Sequence, residues 1–171
     1  MGFTPVAGLV MGTRCGDLDT GALLYICDKK GYTSLDAVRL TNKESGVFGI
    51  SGVSSDFREL TSAADAGNYR AELALDVFCY NVKKYIGAYA AVLNGVDLII
   101  FTGGIGENDE RVRNSVCTGL EYLGVEFDEA VNLKARGVDR ILSTPHSKTF
   151  VMTITTDEEL VIATDTLNLV K

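Results

Sequence analysis

Hydrophobic and polar positions along the chain switch between a helical period and short apolar runs, which predicts a layered α/β fold. The longest helical pattern covers residues 69–93, and Asn94 with Gly95 ends it. An apolar run follows directly and predicts a buried strand over residues 96–101. This alternation of helix and strand is the main indication of fold class.

Capping residues and apolar spacing predict further helices and strands. The helical segments are Thr20–Lys30, followed by Gly31; Ser34–Glu44; a turn after the cap at Ser54-Ser55-Asp56; a helix with Val112, Val116, Leu120 and Leu123 on one face; and a terminal helix that begins at a capping box, Thr156-Asp157-Glu158-Glu159. The strand-like segments are Gly124–Phe127 and Thr149–Ile154, with Val47–Gly52 as a loop or short strand. So few strands beside so much helix predict a sheet that is incomplete within this chain.

Composition excludes several classes of partner and site. The 171 residues carry a formal net charge of −7, which leaves no basic face for nucleic acid or anionic lipid. No apolar run reaches the ~18 residues of a membrane span. The four cysteines form no CxxC pair and His146 is the single histidine, so we expect no structural zinc site. Reduced thiols and a cytoplasmic location are the expectation.

A glycine-rich segment, Gly103–Asn108, follows the strand predicted at residues 96–101. A strand, a glycine turn and a helix start together expose backbone N–H groups and the positive end of a helix dipole, which suits a phosphate or a nucleotide. The alternative is a turn that serves packing alone. The sequence has no Walker A motif, no third dinucleotide glycine, no HExxH and no GxSxG, so NAD, zinc and nucleophilic chemistries have little support.

A single arginine, Arg14, lies among glycines in the segment Thr13–Asp19. Such an arginine suits bidentate binding of phosphate or carboxylate oxygens, and phosphoryl transfer uses one to hold charge on the transferring group. The alternative is a surface ion pair of Arg14 with Asp17, with Asp19 capping the next helix. Spacing alone leaves both interpretations open.

Two further clusters carry polar groups that suit a nucleotide. Asp56-Phe57-Arg58 could bind a ribose hydroxyl, a base face and a phosphate, or could form a helix cap followed by a core phenylalanine. The acidic run Asp157-Glu158-Glu159 could supply a magnesium ligand, usually through water, or could simply complement the helix dipole.

Four segments of the chain, in order, resemble the signatures of the acetate kinase family. They are Gly8–Asp19, Gly52–Arg58, Phe101–Asn108 and Thr156–Glu159, and the resemblance extends over essentially the whole chain. It implies an α/β phosphotransferase domain of the actin/hexokinase/Hsp70-like (ribonuclease H-like) class, with an incomplete sheet and a returning C-terminal helix. The implied reaction is the reversible transfer of a phosphoryl group from ATP to acetate, which gives acetyl phosphate and ADP.

The resemblance also implies a role for each candidate residue. Arg14 is then the catalytic residue that stabilises the transferring phosphoryl group. Contacts with the adenosine end of ATP or ADP are implied for Asp56, Phe57, Arg58, Gly104, Ile105, Gly106, Glu107 and Asn108. Glu158 is implied as the residue that helps to bind Mg²⁺. The glycine turn is therefore expected to contact adenosine rather than to hold phosphates.

Departures from the family pattern imply that this chain is the C-terminal part of a longer enzyme. Residues 1–157 are expected to form most of the nucleotide-binding domain, and residues 158–171 the terminal helix that packs on the N-terminal domain. The family's catalytic aspartate and substrate-binding arginine have no counterpart here, so the chain alone is expected to be inactive. A homodimer through this domain is also implied.

Three other interpretations stay open at this point. The chain could act as a non-catalytic module that binds nucleotide or dimerises, or it could belong to a propionate kinase, since propionate kinases look similar. A sheet edge left unpaired could also make the chain associate or aggregate.

Overall fold

The computed structural model describes residues 2–170, which form two compact units, residues 2–89 (unit 1) and residues 90–170 (unit 2). Helices in the described residues are α1 Thr20–Lys30, α2 Ser34–Lys43, α3 Gly46–Ser51, α4 Phe57–Asp65, α5 Tyr69–Val92, α6 Gly103–Asn108, α7 Glu110–Cys117, α8 Glu129–Asn132 and α9 Glu158–Val170. The strands are β1 Leu98–Phe101, β2 Arg140–Ile141 and β3 Phe150–Thr153. The predicted mixture of helix and a small sheet is confirmed.

The first helix of unit 1 begins and ends at the predicted residues. Asp19 is its N-cap, with the carboxylate accepting hydrogen bonds from the N–H groups of Gly21 and Ala22. At the other end Gly31 takes a left-handed conformation with φ of 66°. In α2 the N-cap is Thr33, which forms a capping box with Asp36.

Residues 47–52, predicted as a loop or short strand, mostly form helix α3, so that prediction is wrong. The N–H groups of Val47 and Phe48, which a short helix leaves without internal partners, donate to the carbonyls of Met11 and Gly12 at 2.9 and 3.0 Å. These bonds come from a distant part of the sequence. Local propensity therefore could not predict the helix.

The long helix α5 was predicted almost residue for residue. Asn94 and Gly95 follow it with φ of 59° and 130°, and the Gly95 N–H donates to the Ala90 carbonyl at 2.8 Å. Within unit 1, Phe78 of α5 meets Phe57 edge to face with ring centroids 4.7 Å apart. The buried apolar residues of unit 1 are Val10, Val47, Phe57, Leu60, Ala71, Ala74, Leu75, Phe78 and Cys79.

Unit 2 contains a three-stranded sheet in the order β1-β3-β2. β1 and β3 are parallel and pair from Leu98↔Phe150 to Phe101↔Thr153, while β2 runs antiparallel to β3. The strands predicted at 96–101 and 149–154 are confirmed in shorter form. The strand predicted at Gly124–Phe127 is wrong, because Phe127 forms only an isolated bridge with Ser143. The edge strand is β2 instead, in a segment for which no strand is predicted.

The terminal helix α9 begins as predicted but with a different cap. Asp157 accepts a hydrogen bond from the Leu160 N–H at 2.8 Å, whereas the Thr156 hydroxyl donates to Glu107. The capping box assigned to Thr156 and Glu159 is therefore wrong. Every described side chain of α9 is exposed, including Ile162 at 66%.

None of the four cysteines forms a disulfide bond, as the sequence predicts. Across residues 2–170, no helix combines the length and the apolar character that crossing a membrane requires.

Candidate functional site

The loop that carries Arg14 is fixed by backbone hydrogen bonds on both sides of the arginine. The Thr13 carbonyl accepts from the Ser45 N–H at 3.1 Å, and the Thr13 hydroxyl donates to the Asn42 carbonyl at 2.9 Å. On the other side, the Cys15 N–H donates to the Thr41 carbonyl at 2.9 Å. The start of the arginine side chain is thus held rigidly against the end of α2.

Gly46 allows this close approach of backbone to backbone. A Cβ at this position would lie 2.3 Å from the Met11 carbonyl oxygen and 2.9 Å from the Arg14 carbonyl oxygen, distances that real Cβ atoms do not show. Its φ of 66° also belongs to the left-handed region that glycine tolerates. The position of the Arg14 loop therefore depends on glycine at residue 46.

The Arg14 side chain is half-buried, and its guanidinium forms no hydrogen bond or ion pair within the described part of the chain. The alternative pair with Asp17 is wrong: Asp17 accepts hydrogen bonds from the Gly8 N–H and the Tyr85 hydroxyl and lies 4.0 Å from Lys84. The Tyr85 hydrogen bond is the main cause of the lowered pKa of Asp17. Arg14 is left with a fixed backbone and an available planar cation.

Asp56 and Arg58 form a compact pair at the start of α4, close to the Arg14 loop. Asp56 caps the helix by accepting from the Arg58 N–H at 2.9 Å, and the Arg58 Nε lies 3.1 Å from the same carboxylate. A Cβ on Gly12 would be 3.3 Å from the Cβ of Ser55, so the two segments are neighbours in unit 1. Both charged residues line an open depression of about 600 Å³ along α4.

This pairing predicts a titration that can be measured. The Arg58 side chain, followed by its backbone N–H, lowers the pKa of Asp56 to about 2. We expect Arg58→Gln to raise that pKa toward the ordinary value of about 3.9 in an NMR titration of the carboxyl carbon, with Arg39→Gln as the control that leaves it unchanged. Because the folded pKa is depressed, the stability that this pair contributes is present above the unfolded value and is lost as the pH falls through about 2. A midpoint near 3.9 in the unaltered chain would contradict the pairing.

Phe57, by contrast, directs its ring into the core of unit 1. Its side chain is buried and packs on Phe78, which is the alternative that the sequence left open for it. Any contact of Phe57 with a nucleotide must therefore use its backbone atoms.

In unit 2 the glycine turn and the segment before α9 lie together because β1 and β3 are parallel. The carboxyl ends of parallel neighbours meet at one edge of the sheet, which is where α/β proteins commonly bind ligands. The Ile154 N–H donates to the Phe101 carbonyl at 3.0 Å and extends the pairing to that edge. Gly103–Asn108 and Thr155–Glu158 both continue from there.

The glycine turn is a short helix, α6, rather than an open loop. A Cβ on Gly104 would meet nothing within 4 Å, so its backbone is accessible, whereas a Cβ on Gly106 would lie 3.1 Å from the Phe101 carbonyl carbon. The Gly103 N–H donates to the Glu107 carboxylate at 2.8 Å. The Gly103 N–H at the start of α6 therefore already has a carboxylate acceptor.

Glu107 is a buried carboxylate that joins two segments of unit 2. Its Oε1 accepts from the Gly103 N–H at 2.8 Å, from the Thr156 N–H at 2.9 Å and from the Thr156 hydroxyl at 2.8 Å. These bonds, the Thr156 hydroxyl first, lower the pKa of Glu107 and keep it ionised. Its carboxylate thus faces the protein, an arrangement that no pattern in the sequence indicates.

Sequence reasoning missed Arg113, whose side chain supports the glycine turn from within. Arg113 is 0% exposed, and its guanidinium donates to the Gly106 carbonyl at 2.9 Å, to the Asn132 side chain at 2.7 Å and to the Ala135 carbonyl at 2.6 Å. Burial lowers its pKa, although an arginine stays charged in any accessible pH range. No local pattern distinguishes Arg113 from the other arginine of α7, Arg111.

The segment before α9 is held by a second carboxylate. Asp139 accepts from the Thr155 N–H and from the Thr155 hydroxyl, both at 2.8 Å, and these bonds lower the pKa of Asp139. Glu158 follows in the first turn of α9 with its side chain exposed. Within residues 2–170 no group of three or more metal-ligating side chains comes together, so Glu158 is a single candidate ligand.

Comparison with known proteins gives one consistent result. The profile of the acetokinase family matches residues 1–164. The acetate kinase of Bacteroides thetaiotaomicron is 54% identical over 171 residues, which is 100% of this chain and 43% of that protein. The crystal structure of the Porphyromonas gingivalis acetate kinase superimposes with a TM-score of 0.94 at 48% identity, over 100% of this chain and 43% of that one. A propionate kinase from Francisella tularensis gives a TM-score of 0.86 at 37% identity, over 95% and 41%.

These similarities confirm the predicted fold class. The chain has the fold of the corresponding part of acetate kinases, the actin/hexokinase/Hsp70-like class, and its small sheet agrees with the sheet predicted to be incomplete. The chain spans less than half the length of the relatives that it matches.

Proposed function

Since the chain belongs to the acetokinase family, we propose that it supplies the nucleotide-binding part of an acetate kinase. The reaction is the reversible transfer of a phosphoryl group between ATP and acetate, with acetyl phosphate and ADP as products. The observation that carries this proposal is Arg14, a planar cation on a rigid backbone with no partner among residues 2–170. Such a group holds the charge that phosphoryl transfer spreads over the equatorial oxygens.

Contacts with the adenosine end of the nucleotide are proposed for residues of unit 1 and, separately, for residues of unit 2. Asp56 and Arg58 would do so through side chains and Phe57 through its backbone, because the Phe57 ring is buried. In unit 2 the proposed contacts are Gly104, Ile105, Gly106 and Asn108. Glu107 belongs to this segment, but its carboxylate is occupied within unit 2, so any contact of its own would come from the backbone.

Glu158 is proposed as the residue that helps to hold magnesium. Its exposed carboxylate is a hard oxygen ligand, and Mg²⁺ typically takes only one or two carboxylates together with waters and phosphates, so a single acidic residue fits the ion. Magnesium bound with the nucleotide would neutralise charge on the phosphates. Asp157 is less suited to this role because its carboxylate caps α9.

We also propose a domain organisation, a partner and a cellular location for the chain. We propose that residues 1–157 form most of the nucleotide-binding domain and that residues 158–171 pack on another domain, which the exposed apolar residues of α9 support. We further propose that the chain forms a homodimer through this domain. A cytoplasmic location is also proposed, which the absence of disulfide bonds among the four cysteines supports.

Calorimetry with ADP and Mg²⁺, combined with an acetate-dependent hydroxamate assay, tests the function. We expect the 171-residue chain to bind nucleotide without turnover, because phosphoryl transfer needs groups positioned around the whole transferring phosphoryl. Absence of binding would refute the nucleotide site, and steady hydroxamate formation would refute the expected inactivity. A non-catalytic module would also bind nucleotide without turnover. To separate the two, the arginine that corresponds to Arg14 is changed to alanine in a full-length relative, where we expect activity to be abolished.

Gly104→Ala offers a sharper test of the adenosine contact. Because a Cβ there meets nothing within 4 Å, we expect stability to change little, while nucleotide affinity falls about 10-fold or more as the methyl group obstructs the ligand. Thermal unfolding and calorimetry measure the two effects separately. Unchanged affinity would place the nucleotide elsewhere.

Propionate is the second candidate acceptor, because the chain is 37% identical to a solved propionate kinase. The acetate kinase of Bacteroides thetaiotaomicron, at 54% identity, supports acetate as the first candidate. Comparing kcat/KM for the two acids in a full-length protein that contains this chain decides between them.

A further inference from the structure

We propose that Glu107 is a positioning residue that holds the glycine turn and the segment leading to Glu158 together. The positions of the nucleotide contacts and of the magnesium contact then depend on the same carboxylate. This inference rests on the function proposed above for those two segments. It changes the role of Glu107 from a residue that contacts the nucleotide to one that acts through its neighbours.

The hydrogen bonds of one carboxylate oxygen carry the argument. Oε1 of Glu107 accepts one bond from Gly103, at the start of α6, and two from Thr156, two residues before Glu158. Charged acceptors form stronger hydrogen bonds than neutral ones, and burial makes their loss costly. If Glu107 is removed, both segments lose a shared anchor at the same time.

Other contacts explain why this carboxylate, and not the fold in general, would couple the two segments. Among residues 2–170, Arg113 donates a hydrogen bond to α6 and none to Thr156. Asp139 accepts hydrogen bonds from Thr155 and none from α6, although its charge acts on the Glu107 carboxylate. Among residues 2–170, Glu107 is the residue whose side chain forms hydrogen bonds with both segments. Asp139 therefore serves as a matched control, since it is a carboxylate with two bonds to the adjacent threonine.

Amide exchange measured by NMR tests the coupling without any ligand. We expect Glu107→Ala to speed exchange of the Gly103 and Thr156 amides about 10-fold, because each loses its acceptor. Asp139→Ala should speed exchange of the Thr155 amide and leave that of Gly103 unchanged. Glu107→Gln, whose neutral carbonyl can still accept these bonds but more weakly, should give exchange rates between those of Glu107→Ala and the unaltered chain. If Glu107→Ala fails to fold, Thr156→Val, which removes only the hydroxyl donor, replaces it and should give a smaller change in the same direction at Gly103.

The effect of magnesium on ADP affinity tests the consequence for binding. We expect the increase in affinity that magnesium gives to fall about 10-fold in Glu107→Ala, as in Glu158→Ala, with no further loss in the double variant. An unchanged Gly103 amide in Glu107→Ala, or a retained magnesium effect despite faster exchange, would overturn the inference. If the unaltered chain binds no ADP, the proposed function fails and with it the role of Glu107 in binding, whereas the exchange result still decides whether Glu107 joins the two segments.

Discussion

Replacing Gly46 with alanine is expected to displace the loop that carries Arg14 and to destabilise unit 1 by about 3 kcal/mol. The new Cβ would lie 2.3 Å from the Met11 carbonyl oxygen, 2.8 Å from that of Gly12 and 2.9 Å from that of Arg14. All three atoms belong to backbone, which cannot rotate away as a flexible side chain can. The loop must therefore move, and Arg14 moves with it.

Gly52→Ala is the matched control for this prediction. Gly52 ends the same helix, α3, and has nearly the same φ, 67°, yet a Cβ there would meet nothing within 4 Å. It should cost only the backbone strain, about 1 kcal/mol. Urea unfolding followed by circular dichroism compares the two variants. Equal stabilities would show that the contact with the Arg14 loop has no energetic weight.

Arg113→Met is expected to destabilise unit 2 by about 3 kcal/mol or more. The substitution keeps much of the side-chain volume but leaves the buried acceptors of Gly106, Asn132 and Ala135 without their donor. Since one of these is the Gly106 carbonyl, we also expect nucleotide affinity to fall. Even Arg113→Lys should be destabilising, because a single ammonium group cannot reach the positions of three guanidinium nitrogens.

Arg136→Met tests whether this loss is specific to the buried site. Arg136 lies in the same unit with its side chain exposed, so the same substitution there should change stability by less than about 0.5 kcal/mol. The free energy of unfolding from denaturant titrations measures both variants. A loss for Arg113→Met no larger than for Arg136→Met would mean that the buried network contributes nothing.

Elements whose signals are local were predicted well from the sequence. Helix α1, with Asp19 before it and Gly31 after it, has its predicted bounds, because a cap and a left-handed glycine are properties of adjacent residues. Helix α3 was missed because its first N–H groups are satisfied by carbonyls of Met11 and Gly12, far away in sequence. Strand β2 is only two residues long and forms because β3 lies beside it. Two residues are too few for a periodic pattern, so the sequence could not predict this strand.

The candidate site shows the same division between local and distant causes. Arg14, Asp56 and Arg58 were identified from the kinds of residue and their spacing, and their roles in binding remain predictions. The sequence suggested Asp17 as a partner for Arg14, whereas the fold directs Asp17 to Tyr85, which lies on α5. Arg113 and the inward-facing carboxylate of Glu107 could not be inferred, because both act through bonds to residues that only the completed fold brings near.

The parallel pairing of β1 with β3 has a consequence for the order in which the chain acquires its structure. Leu98 and Phe150 are direct partners although a long segment separates them, and closing such a segment is slow relative to forming local helices. The residues of unit 1 are synthesised before those of unit 2, so the local helices of unit 1 can begin to form while unit 2 is still emerging. The glycine turn reaches its final form only after Thr156 has left the exit tunnel, which makes it one of the last parts of the molecule to mature.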